Sequence, residues 1–145
     1  MAKRIVRIAL DVLSLLILLG TVIFLIVYWK HIPDMVPIHF DARGQIDGLG
    51  GKMSLLMLPV LAAALFVTLS FAKTVRYRSM GKQVYVPAPE LMFPAMKLAL
   101  TAGFSYMTIC GALVRPLGIW FLPVFLILIF APMVGYGLFV LPKLR

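Results

Sequence analysis

The chain alternates long apolar runs with short polar intervals. Apolar runs occupy residues 8–29, 53–72, 91–114 and 119–141. As a helix, the first would be about 33 Å long, enough to cross roughly 30 Å of hydrocarbon. It is too long for the apolar core of a signal peptide, and no small-x-small cleavage site follows it. Tyr28 and Trp29 at its end suit an aromatic interface belt. The pattern predicts an all-α membrane protein, a four-helix bundle forming one domain over residues 1–145. The polar intervals are a basic start, an outer loop at 30–52, a polar loop at 73–90, a tight turn around Arg115–Gly118 and a basic end.

The interval 30–52 differs from the others. It holds both histidines and three of the five acids, Asp34, Asp41 and Asp47. A connection of this length without an apolar run is uncommon in a compact protein. Val36 before Pro37 must be extended, and Ile38-His39-Phe40-Asp41 alternates like a half-buried strand. Ala42-Arg43-Gly44 then fits a three-residue hairpin loop with Gly44 in the left-handed region. That turn sets Asp41 opposite Gln45, Phe40 opposite Ile46 and His39 opposite Asp47. Ile38, Phe40 and Ile46 would share one face, and His39, Asp41 and Asp47 the other.

Composition supports the membrane reading. The 145 residues are 63% hydrophobic and 13% charged, against about half and a quarter in soluble domains. The net charge of +9 does not point to nucleic acid, because no basic helix with interleaved aromatics is present. In a membrane protein, basic residues set orientation. Lys3, Arg4, Arg7, Lys73, Arg76, Arg78, Lys82, Lys143 and Arg145 fall on the N-terminal side of the bilayer, and Lys30, Arg43, Lys52 and Arg115 on the other. Both termini are therefore expected in the cytoplasm and the 30–52 loop outside. The bilayer itself is then the first partner.

Candidate chemistry is sparse. His39, Asp41 and Asp47 are weak candidates for a divalent cation, since imidazole and carboxylate are ordinary ligands. They could also be proton-responsive, because histidine titrates nearest neutrality. The structural alternative is that His39 and Asp47 hydrogen-bond and hold the hairpin shut. Asp41 equally suits an Asx-type turn. The spacing lacks the Asp-x-Asp-x-Asp-Gly pattern of a calcium loop, and Gly48, Gly50 and Gly51 lack the preceding strand and Ser/Thr of a phosphate loop. Lys52 reads as an interfacial anchor at the start of the second span, and His31 as an interfacial residue beside Trp29. Cys110, the single cysteine, lies in an apolar run and reads as a small packing residue. No catalytic triad is readable and no cofactor is implied, so the chain does not read as an enzyme.

Asp11 and Lys97 are ionisable residues inside apolar runs. Each is close enough to the inner edge to reach water, Lys97 by snorkelling; the alternative is a buried ion pair of Lys97 with Asp11. Pro59, Pro123 and Pro132 are expected to kink their helices. Ala99-x-x-x-Gly103 and Ala131-x-x-x-Gly135 are spaced for close helix packing, internal or between copies.

The string from Ile32 to Lys52 resembles the membrane domain at the front of the SdpI-like toxin-immunity family, a domain of unknown function. The pattern is Pro-x-His-aromatic-Asn/Asp-x-x-Gly-x-x-Asp-Gly, then a small residue and Lys. Pro37, His39, Phe40, Asp41, Gly44, Asp47, Gly48 and Lys52 fall in place. The resemblance runs from about Tyr28 to Pro59. Leu49 stands where the family usually has an aromatic residue, and Gly51 where it often has Ser. The second membrane half of the longer immunity proteins, with its Arg-Thr-Pro-Trp-like string, has no counterpart here. The resemblance implies a bacterial plasma-membrane protein that recognises or neutralises a membrane-active peptide or toxin at the outer face. Two other functions stay open: a small cation- or proton-responsive sensor or transport subunit, and a scaffold for another membrane protein.

Overall fold

In the computed structural model the chain is described over residues 2–72, 74–79, 82–87 and 89–140, with residues 74–79, 82–87 and 139–140 described by their backbone. The elements in order are α1 (Ala2–Tyr28), a 3₁₀ turn (Trp29–His31), β1 (Met35–Phe40), β2 (Ile46–Gly51), a second 3₁₀ turn (Lys52–Leu56), α2 (Met57–Phe71), β3 (Thr74–Ser79), β4 (Lys82–Pro87), α3 (Met92–Ala112) and α4 (Phe121–Val140). The helices run alternately up and down. One end carries the β1–β2 hairpin and the α3–α4 turn; the other carries the start of α1 and the β3–β4 hairpin.

Among the described residues, three helical segments are long and apolar enough to cross a membrane: Ala2–His31, Lys52–Phe71 and Phe121–Leu138. The expected run at 91–114 is also a helix, α3, but it does not share that apolar character. Its composition explains its position. Thr101, Ser105, Thr108, Gly103, Gly111 and Ala112 are all buried, and α3 touches α1, α2 and α4. The small side chains let the neighbouring backbones come close. Two of the three hydroxyls are satisfied within the helix: Thr101 donates to the Lys97 carbonyl at 2.8 Å and Thr108 to the Phe104 carbonyl at 2.7 Å, whereas Ser105 Oγ is buried without a hydrogen-bond partner among the described residues.

α1 answers with a buried stripe of Ser14, Leu18, Thr21 and Leu25, spaced to keep one helical face toward the bundle. Ser14 and Thr21 likewise donate to the carbonyls four residues back, at 2.7 and 2.9 Å. Beyond its charged first turns, most of the rest of α1 is apolar and exposed, as is most of α4, where Tyr136 is buried. In α4, Phe121 stacks on Tyr106 of α3 (ring centroids 5.1 Å apart) and Phe125 meets Phe104 edge-on at 5.8 Å. Gly103 is the small residue over which the Phe125 ring lies. Ala131 and Gly135 of the second small-residue pair are exposed.

Several expectations need correction. α1 starts six residues before the predicted run, so Arg7 and Asp11 are both helical. Pro59 and Pro123, expected to kink their helices, sit in the first turns of α2 and α4, where a missing N–H costs little. Only Pro132 is interior. The segment read as a polar loop carries an antiparallel hairpin, with Thr74 opposite Pro87 and Ser79 opposite Lys82. Residues 141–145, the end of the fourth predicted span and the basic tail, lie outside the described residues.

Candidate functional site

The hairpin is built from local chemistry. The Asp41 carboxylate accepts from the Arg43 and Gln45 backbone N–H groups at 2.8 and 2.7 Å. The Asp41 N–H donates to the Gln45 carbonyl and the Gly44 N–H to the Asp41 carbonyl, each at 2.9 Å. Gly44 has φ of +73°, so the three-residue loop with a left-handed glycine is as the turn residues require.

The ladder departs from the predicted register at one step. Phe40 pairs with Ile46, as the turn dictates, and Pro37 with Leu49 in the same register, but His39 pairs with Gly48. Bulges on both sides of His39 account for the shift. Gly48 permits it, since a side chain there would put its first carbon 2.9 Å from His39 Cβ. His39 still reaches Asp47, Nδ1 to Oδ1 2.5 Å, across the bulge. The pair is open to solvent, with side chains 71% and 43% exposed.

The faces sort as predicted only in part: Phe40 faces Ile46 and His39 meets Asp47, but the other members depart. Ile38 lies over Gly50 yet is more than half exposed, as are Met35 and Leu49. Asp41 turns into its own loop and does not join His39 and Asp47. Among the described residues, no group of three His, Cys, Asp or Glu side chains comes together to hold a metal ion.

Four attachments seat the hairpin on the helices. Val36 is fully buried in a cluster with Leu25, Ile32, Leu55 and Ala112, flanked by Phe24, Tyr28 and Trp29. At Gly111 a Cβ would fall 2.8 Å from Leu55 Cδ2 and 3.5 Å from the Pro37 carbonyl oxygen. The Leu117 N–H donates to the Gly44 carbonyl at 2.8 Å, joining the hairpin tip to the α3–α4 turn. Lys52 is more than an anchor: its ammonium donates to the Ile32 carbonyl at 3.0 Å and lies 4.8 Å from the centre of the Trp29 ring. His31 stacks on Tyr28, ring centroids 5.2 Å apart.

The motif residues thus divide. Pro37, Asp41, Gly44, Gly48 and Lys52 shape or seat the hairpin, Phe40 is half-buried opposite Ile46, and His39 and Asp47 face outward. Beneath the hairpin is a hollow of about 230 Å³, lined by Pro37, Ile38, Phe40, Leu55, Leu58 and Met107 among others. A second, larger groove of about 620 Å³ runs between α1 and α2.

The structure also brings together a polar cluster, built on the Lys97–Asp11 pair that the sequence offered as the alternative to snorkelling. Lys97 does not snorkel. It is 4% exposed, and its ammonium lies 2.5 Å from Asp11 Oδ1. It also donates to Ser70 Oγ at 3.2 Å and sits 4.9 Å from the centre of the Phe66 ring. Asp11 Oδ2 is 4.0 Å from Arg7 Nε. An ammonium inside an apolar bundle needs such partners, because desolvation penalises it strongly.

The exposed His39–Asp47 pair is a weak brace. Alanine substitutions at the two positions are expected to be coupled in a double-mutant cycle, by about 0.2–1 kcal/mol. Chelator or added Zn²⁺ is expected to leave protease protection of the hairpin unchanged. Strictly additive effects would show that the two side chains act apart.

A domain of unknown function (DUF1648) matches residues 16–63, about a third of the chain. No curated protein and no solved structure shows detectable similarity. The matched segment contains the upper part of α1, the whole β1–β2 hairpin and the start of α2.

Proposed function

We propose that this chain is a four-span bacterial plasma-membrane protein of the SdpI-like group, with α3 as the fourth span and both termini cytoplasmic. Its task is to recognise, and so neutralise, a membrane-active peptide at the outer face. α3 is long enough to cross, and its polarity is tolerable because three apolar helices surround it. The observation that carries the recognition reading is the braced hairpin over its apolar hollow. A surface held at four points loses little entropy on binding. Met35, Ile38 and Leu49 around it are apolar and exposed, which suits an amphipathic partner. The DUF1648 match supports the module and is silent on its task.

Two experiments test this reading. Expression is expected to protect a sensitive cell from at least one peptide in a broad membrane-active panel. Ile38→Asp and Leu49→Asp should abolish protection at unchanged protein level, since both side chains are already exposed. Equal killing of expressing and empty cells would end the peptide reading. For orientation, single cysteines at Ala42 and Ser79 in a Cys110→Ser background should differ toward an impermeant thiol reagent on intact cells. Position 42 is expected to react and position 79 to stay unlabelled; the reverse would invert the topology.

The sensor or transport reading draws on a different observation, the Asp11–Lys97 pair. Ionisable residues inside spans commonly mark ion or proton pathways. A cytoplasmic pH response that vanishes in Lys97→Met, with peptide protection intact, would favour it.

A further inference from the structure

The groove between α1 and α2 is lined by Leu18, Leu25, Trp29, Leu56, Pro59 and Ala63, with three further aliphatic residues and no polar side chain. Every lining residue falls inside the segment matched to DUF1648. Its volume of about 620 Å³ lies within the roughly 300–1,000 Å³ usual for small-ligand sites.

Its length restricts what can fill it. From Leu18 to Trp29 is about 16 Å along a helix, half of the ~30 Å hydrocarbon thickness. A spanning helix, or a second copy of this chain, would need a groove of full height. An acyl chain from one leaflet needs half. The hairpin end of the groove also has a head-group station. Trp29 closes the groove there, and the Lys52 ammonium sits over its ring. Of the three protons on that ammonium, Ile32 takes one. Lys30 is adjacent in sequence to Trp29, and the acid set beside Lys52 is Asp34, whose backbone carbonyl accepts from the Lys52 N–H at 2.9 Å. The balance favours an anionic head group.

We propose that the groove is a binding site for an anionic phospholipid of the outer leaflet, one acyl chain lying between α1 and α2 and the phosphate resting on Lys52. The site rests on the membrane reading above and is independent of peptide recognition.

The chain has two tryptophans, so Trp120→Phe leaves Trp29 as a reporter inside the groove. The protein is reconstituted in phosphatidylcholine vesicles containing a small fraction of brominated lipid, either phosphatidylglycerol or phosphatidylcholine. Brominated phosphatidylglycerol is expected to quench Trp29 as though bound about fivefold more tightly, the ratio for one lysine at a membrane surface. Lys52→Gln, which keeps a donor for Ile32, should erase the preference. Lys52→Arg should keep it, and Ala63→Phe, which fills the groove, should weaken quenching by both lipids. A Trp29→Phe chain, reporting from Trp120, should show no preference. Equal quenching of Trp29 by the two lipids would mean ordinary boundary lipid and overturn the proposal. If Trp120 is quenched and Trp29 by neither lipid, protein covers the groove and the proposal falls. If neither tryptophan is quenched, the membrane reading fails and takes the site with it.

Discussion

Gly44→Val is expected to unseat the hairpin and lower stability by about 2–5 kcal/mol. Two costs add at this position. A residue with a Cβ in the left-handed region loses about 1–2 kcal/mol, and Gly44 sits at φ +73°. The second cost is steric. The first side-chain carbon would lie 2.6 Å from the Gly118 carbonyl oxygen and 2.9 Å from the Gly118 nitrogen. Backbone atoms cannot rotate away as a flexible side chain would, and overpacking of this kind costs a further ~1–3 kcal/mol. The Leu117–Gly44 hydrogen bond would break with the contact. Gly44→Ala should be nearly as damaging, because the Cβ alone makes the clash. Ala42→Val, two residues away and exposed, should be close to neutral. Thermal unfolding in detergent, with limited proteolysis of the 30–52 segment, measures both. A Gly44→Val protein as stable as Ala42→Val would remove the hairpin tip from the α3–α4 turn.

The second large effect is expected at Lys97. Truncating one partner of a buried ion pair costs about 3–5 kcal/mol, because the other charge is left without compensation. Lys97→Met strands the Asp11 carboxylate beside Arg7, while Asp11→Leu strands an ammonium in the bundle. The Lys97 substitution is the milder of the two, since the Asp11 side chain is 28% exposed and keeps Arg7. We expect about 3 kcal/mol for Lys97→Met and more for Asp11→Leu. The double variant should be more stable than Asp11→Leu alone, because an apolar pair leaves no orphan charge. A cycle of four thermal unfolding curves tests the ordering. Additive losses would show that Lys97 and Asp11 do not meet.

The same two sites show where sequence reasoning reaches and where it stops. The turn at Asp41–Gln45 was legible because its causes lie within five residues: a carboxylate that can accept two N–H groups and a glycine that tolerates positive φ. The register one step further was not, since the bulge at His39 depends on Gly48 across the ladder. The β3–β4 hairpin had a signal that went unread, with Val75 and Tyr77 before Gly81, and Val84 and Val86 after it, in strict alternation. Lys97 is a different case. Sequence gives its depth in the helix and offers Asp11 as one partner, but does not decide between that pair and snorkelling, because Asp11 arrives from another helix 86 positions away. The special position of α3 was visible in part: hydroxyls and small residues recur every three or four positions, a pattern that the other three runs lack. Lys52 could not be assigned its partners, because the Ile32 carbonyl is free to accept only where the 3₁₀ turn ends.

The bond between Leu117 and Gly44 has a consequence for how the protein is made. A ribosome releases the β1–β2 hairpin long before it releases Ala112, Leu117 and Gly118. Until then Val36 and Leu55 lack part of their cover, and the hairpin tip has nothing to rest on. The cap can therefore close only after the third helix is in place and its turn has emerged. A chain stalled or cleaved after α2 would leave the hairpin tip unsupported and open to proteases, its base held only by Lys52 and the part of the Val36 cluster already made.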